Sequence, residues 1–212
     1  MRAETATQTS SATLIGTLWP RADARDALRF AALAVIGAVL LTISAKIKVP
    51  FYPVPMTLQT LGVAVIAASF GARLAGATVL LYLAAGMAGL PVFTSTPPAV
   101  ASLSYMMGPT GGYLVGFVLA ALLVGHLAER GWDRSLFTLF AAMLLGDAVI
   151  LSLGTAWLAW GAALPSSASG MGFAKALEFG LYPFLLGALV KEALGAAVIR
   201  GAWTMVRKLR GI

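Results

Sequence analysis

The sequence predicts an all-α integral membrane protein: a bundle of six transmembrane helices with both termini cytoplasmic and long outer loops. Three observations predict it. Of the 212 residues, 59% are apolar and only 11% charged, under half the roughly 25% charge of soluble domains. The apolar residues fall in blocks close to bilayer length, and the mean hydropathy is +0.89. The basic residues sit at the ends of those blocks, mostly on alternate ends, as the positive-inside rule requires.

The chain opens with a polar, Ser/Thr-rich stretch, Met1 to Pro20, read as disordered rather than as a signal peptide. Residues 1–26 form a cytoplasmic arm, 27–200 the membrane domain, and 201–212 a basic cytoplasmic tail. The six apolar blocks are 27–45, 56–70, 74–89, 112–127, 136–160 and 181–199. The second and third are short for a span, and Gly71-Ala72-Arg73 alone separates them, so they predict a tight helical hairpin.

With the N-terminus inside, eleven of the fifteen basic residues are cytoplasmic: Arg2, Arg21, Arg25, Arg29, Arg73, Arg130, Arg134, Arg200, Arg207, Lys208 and Arg210. Lys46, Lys48, Lys175 and Lys191 fall outside or in the membrane. The outer connections, 46–55, 90–111 and 161–180, are longer than the inner ones and rich in Gly, Pro, Ser and Thr. Loops of that kind over a bundle mouth either form a binding site for a mostly apolar small ligand or merely join helices.

Several function classes are excluded. The chain has no cysteine and a single histidine, His126, so no disulfide, thiolate metal site or histidine cluster is expected. The net charge of +7 lies at helix ends, without the basic patch that nucleic-acid binding needs. The glycine-rich Gly108-Pro109-Thr110-Gly111-Gly112-Tyr113 has no lysine and is no Walker loop. Neither enzyme activity nor a cofactor is expected.

The ionisable groups within the spans carry most of the information. Asp147 lies mid-way along the fifth block and Lys191 mid-way along the sixth, each costly if unpaired against lipid. Gly187 and Gly195 flank Lys191 at four-residue spacing and predict that it points into the bundle. Pairing with Asp147 would satisfy both, as a structural ion pair or as a ligand-contacting one. Glu192 projects about 100° from Lys191 and is read as meeting a partner protein, the inner interface or the ligand.

Lys46 and Lys48, at the outer mouth, either attract an anionic substrate or snorkel to headgroups. Pro50, Pro53 and Pro55 stiffen an extended loop leading to Gln59, whose amide suits a ureido-like group. Tyr82, Tyr113, Tyr182 and Trp157 are either aromatic walls or interfacial anchors. Ala27, Ala31, Ala32, Ala34 and Ala38 give the first span small-residue spacings for close approach of a helix, internal or foreign.

The segment from Pro50 through Gln59 to Leu61, then Tyr82, Gly89-Leu90-Pro91-Val92-Phe93, Gly108 to Tyr113, and Tyr182-Pro183-Phe184 leading to Lys191, form an ordered set. Over residues 27–200 it resembles the BioY family, the biotin-specific S components of energy-coupling-factor transporters. The resemblance implies biotin capture from the outer side of a bacterial plasma (inner) membrane by a multi-pass protein in the lipid bilayer. A separate transmembrane coupling protein and cytoplasmic ATPases would power uptake. It also implies that Lys191 helps bind the ureido end of biotin; Gln59 and Tyr82, which lie in the same motif set, are further candidates for that site. Many members carry an aspartate three residues before that lysine; here Ala188 stands there, and Asp147 is the candidate replacement. The family's docking alanines would correspond to Ala27, Ala31, Ala34 and Ala38. A different vitamin as ligand, or a non-transporting scaffold, is the alternative reading; monomer and homo-oligomer are both left open.

Overall fold

A computed structural model describes residues 13–19, 26–50, 52–97, 99–164 and 169–210. Arg2, Arg21, Arg25 and most of the N-terminal arm lie outside the described residues, as does the side chain of Arg210.

The chain forms helices α1 (Leu14–Leu18), α2 (Asp26–Lys46), α3 (Gln59–Phe70), α4 (Ala72–Met87), α5 (Leu103–Met106), α6 (Gly111–Glu129), α7 (Leu136–Trp160), α8 (Phe173–Gly180) and α9 (Tyr182–Arg210). The sole sheet among the described residues pairs β1 (Lys48–Val49) with β2 (Met56–Thr57), antiparallel, Lys48 opposite Thr57. Among the described residues, four helical stretches are long and apolar enough to cross a membrane: α2, α6, α7 and the α8–α9 run. The apolar α3 and α4 are shorter. At 1.5 Å per residue their 12 and 16 residues reach about 18 and 24 Å, against a hydrocarbon core of about 30 Å.

The two helices share the turn at Gly71, where φ is +80°, a conformation open to glycine at little cost. Glu129 Oε1 accepts a hydrogen bond at 2.9 Å from the Ala72 N–H and so caps α4 from the end of α6. At their opposite ends the two helices meet the β1–β2 hairpin and the 88–110 segment.

The core is built around α6, which packs along α7 and also meets α3 and α4, while α9 closes against α3 and α7. The inward face of α9 runs through Phe184, Ala188, Glu192, Ala196, Ile199, Trp203 and Val206 at three- and four-residue spacing. Gly195 packs on Leu61 and Met143, as the small-residue flank of Lys191 predicted.

Four expectations need correcting. Within the supposed arm, α1 is ordered, capped by Thr13, and places Leu14 in the core. The supposed basic tail is no separate segment: α9 continues to Arg210, because Trp203 and Val206 extend its buried stripe and no proline interrupts it. The 161–180 connection contains a helix, α8. Finally, the alanines of α2 do not form one free face. Ala34 is buried with Leu33 and Leu74, and Ala38 is half-buried against the core. A Cβ on Gly37 would stand 2.5 Å from Thr78 Cγ2, so α2 uses its small residues to approach α4 closely. Ala27 and Ala31 are exposed.

Candidate functional site

The end of the bundle carrying the hairpin holds a partly open cavity, whose non-atom space with its open mouth included is about 530 Å³. Gln59, Tyr82 and Lys191 all line it, with Thr57, Thr60, Thr94, Thr110 and a set of aromatic and aliphatic side chains. Lys191 is the one charged residue in that wall among the described residues.

Each polar group is held by a particular element. Gln59 is the first residue of α3, delivered by the proline-rich hairpin, and is 4% exposed. Its Nε2 donates at 2.8 Å to the Tyr82 hydroxyl, which donates at 3.2 Å to the Val92 carbonyl. This chain ties α3, α4 and the following loop together at the cavity wall. Lys191, half-buried on α9, donates at 2.6 Å to Thr60 Oγ1 and at 3.4 Å to the Thr57 carbonyl.

Asp147, the candidate ligand contact, is 4% exposed and is not among the residues that line the cavity. No direct ion pair joins it to Lys191. The Thr60 hydroxyl interacts with both, and Asp147 Oδ1 has no hydrogen-bond partner. Glu192, for which a partner protein, the inner interface and the ligand were all open, is fully buried beside Lys191 and Asp147, and neither carboxylate oxygen has a hydrogen-bond partner. It lies one turn beyond Ala188 on the same face of α9, where helical side chains lean back toward the preceding turn.

The roof is the second feature that the sequence left open. Lys46 Nζ donates to the carbonyls of Phe93, at 2.7 Å, and Thr96; Lys48 Nζ donates to the Thr94 carbonyl at 3.0 Å. The two lysines thus strap the uncharged 90–111 loop to the hairpin. Phe93 stacks on Tyr105, ring centroids 4.9 Å apart, and meets Tyr82 edge-on. Its ring occupies the space over Gly86, where an added Cβ would fall 2.1 Å from Phe93 Cζ.

Of the other aromatic candidates, Tyr113 lines the cavity and donates to the Gly180 carbonyl at 2.7 Å. Trp157 lies outside the wall but fixes the Gly108 carbonyl at 2.9 Å, and Tyr182 is exposed. Sequence reading passed over Thr57, Thr60, Phe93, Thr94, Tyr105 and Phe184 as wall residues. Thr57, Thr60, Phe93 and Phe184 lay within the ordered motif set without being singled out, whereas Thr94 and Tyr105 had no signal but their place in a charge-free loop.

Fold and site together define a class: a helical protein of membrane type with a mostly apolar internal cavity, one ammonium and several fixed hydrogen-bonding groups. The model of the BioY family matches residues 10–208, and the chain belongs to that family. It is 32% identical over 175 residues to biotin transporter BioY2 of Lactococcus lactis subsp. cremoris, covering 79% of this chain and 88% of that one. Biotin transporter BioY of Rhizobium etli is 32% identical over 183 residues, covering 83% and 91%. The crystal structure of the S-component for biotin from an ECF-type ABC transporter shares the fold. Its TM-score is 0.71 at 22% identity, with 87% of this chain and 95% of that chain covered.

Proposed function

We propose that the chain is the biotin-binding membrane component of an importer, taking the vitamin from the outer side for ATP-driven uptake by partner subunits. No bond in the substrate is made or broken at this step. The observation that carries the reading is the cavity itself, which gathers Gln59, Tyr82 and Lys191 in one wall with no carboxylate among them. A lone ammonium beside amide and hydroxyl groups suits a ligand with a ureido ring and an anionic tail, and repels a cation. Family membership and the biotin transporters to which the chain is similar favour the same ligand.

In this reading α2, α3, α4, α6, α7 and α9 are six spans, with both termini cytoplasmic and the lysine-strapped loops at the outer mouth. The protein sits in a bacterial plasma membrane. Lys191, Gln59 and Tyr82 meet the ureido end. Asp147 and Glu192 do not touch biotin; they lie behind Thr60 and Lys191 and balance the ammonium as positioning residues. The exposed side of α2, with Ala27, Ala31, Val35 and Val39, is the surface offered to a transmembrane coupling protein, which in turn carries the ATPases.

Calorimetry of the detergent-purified full chain with biotin tests the reading. The expected result is saturable binding of one biotin per chain, weakened by Gln59→Leu and unaffected by nicotinate or riboflavin. Absence of heat with biotin would overturn it.

A further inference from the structure

Of the residues in the cavity wall, Thr94 alone has a buried side-chain polar atom without a hydrogen-bond partner, among the described residues. It is 7% exposed. The neighbouring threonines differ: Thr60 accepts from Lys191, Thr57 donates to Gln59, and Thr96 donates to the Phe93 carbonyl at 2.8 Å. A buried hydroxyl left unpaired in this way is uncommon in folded proteins and needs a reason.

The backbone around Thr94 is held from behind. Lys48 binds its carbonyl, and Lys46 binds the carbonyls of Phe93 and Thr96 on either side. Two ammonium groups on one four-residue segment make its surroundings electropositive, and the straps fix the residue before any ligand arrives. Preorganised donors in a positive field favour an anion.

We propose that the Thr94 hydroxyl donates a hydrogen bond to the ligand's carboxylate and so helps to determine specificity, with Lys46 and Lys48 supplying the field behind it. This rests on the biotin reading and deepens it: Lys191 and Gln59 face the ureido end, Thr94 the acidic end. Lys46 and Lys48 point to loop carbonyls instead of snorkelling to headgroups, and so act on the anion through the loop that they hold and not by contact.

The test is calorimetry of the full chain with biotin and with biotin methyl ester, for the wild type, Thr94→Val and Thr94→Ser. Valine keeps the shape and removes the hydroxyl. Thr94→Val is expected to weaken biotin about tenfold and the uncharged ester about twofold or less, a contrast expected of a charge-assisted bond. Thr94→Ser should stay within about threefold of wild type, since it keeps the donor. The ligand-free melting temperature of Thr94→Val should not fall, because the hydroxyl has no partner to lose. Undiminished biotin affinity in Thr94→Val, equal losses for acid and ester, or a lower ligand-free melting temperature would each overturn the assignment. If the wild type binds no biotin, the biotin reading falls and takes this assignment with it; if the wild type binds and the variant matches it, the assignment falls alone.

Discussion

The two ends of the bundle treat a buried carboxylate in opposite ways. At the arginine-rich end Asp133 is fully buried in the 3₁₀ turn Trp132–Arg134, between α6 and α7, and both of its oxygens are engaged. Trp203 Nε1 donates to one at 2.7 Å and Arg134 Nε to the other at 3.1 Å, while the guanidinium lies 3.9 Å over the Trp203 ring. At the cavity end Glu192 is just as buried, and both of its oxygens lack a partner. Asp147 Oδ1 and Thr94 Oγ1 are unpaired near it or in the wall. Unmade hydrogen bonds in a folded interior are a standing cost. Asp133 ties the α6–α7 turn to the far end of α9 and serves stability; the cavity end carries unmet polar groups around a space for a ligand.

Substitutions at the two ends should separate these roles. The largest effect is expected from Lys191→Met, which leaves Asp147 and Glu192 without their ammonium and takes a donor from the wall. Biotin affinity should fall about a hundredfold by calorimetry. An unchanged affinity would remove the cavity end's claim to function. Asp133→Ala comes next: it strands the buried Trp203 N–H and takes the carboxylate from Arg134, and should cost about 2 kcal/mol of stability while sparing biotin affinity. Glu192→Met should act in the opposite sense, replacing a buried carboxyl group that makes no hydrogen bond by an apolar chain of similar length, with Asp147 still beside the Lys191 ammonium, and stabilising the ligand-free protein by about 1 kcal/mol. Thermal melting in detergent reads both, and a shared sign would break the contrast between the ends.

The helices were legible in the sequence because hydropathy and punctuation agree. The block 136–160 coincides with α7, and Gly71 alone makes the α3–α4 turn. The inward direction of Lys191 was legible from Gly187 and Gly195. Gln59 and Tyr82 were legible from the prolines and the family pattern. Glu192 was harder, since an angle measured from Lys191 says nothing of how wide an arc α3 and α7 cover together. The stripe Ala188, Glu192, Ala196 was nevertheless there at four-residue spacing. Ala34 could not be assigned, because small-residue spacing is the same for an internal neighbour as for a foreign one. Thr94 and the straps of Lys46 and Lys48 depend on contacts across 46 to 50 residues between two irregular loops, which no local pattern encodes.

The smallest expected effect bears on the arginine-rich end and follows from titration. Burial pushes the Asp133 carboxyl above its ordinary range, while Arg134 and the Trp203 N–H oppose that shift without cancelling it. Between the ordinary value and the raised one, the folded chain keeps a proton that the unfolded chain has released. The unfolded state then binds fewer protons, so this group's contribution to stability falls as pH rises through that window and is most favourable below it. Asp133→Asn keeps an acceptor for Trp203 and cannot titrate. The difference in melting temperature, wild type minus Asp133→Asn, should therefore decrease from pH 4 toward neutrality, other carboxylates cancelling in the subtraction. A difference that rises instead would mean that Arg134 and Trp203 outweigh burial. The paired carboxylate would then be a source of stability at neutral pH, and the contrast with Glu192 would be wider than the burial of Asp133 implies.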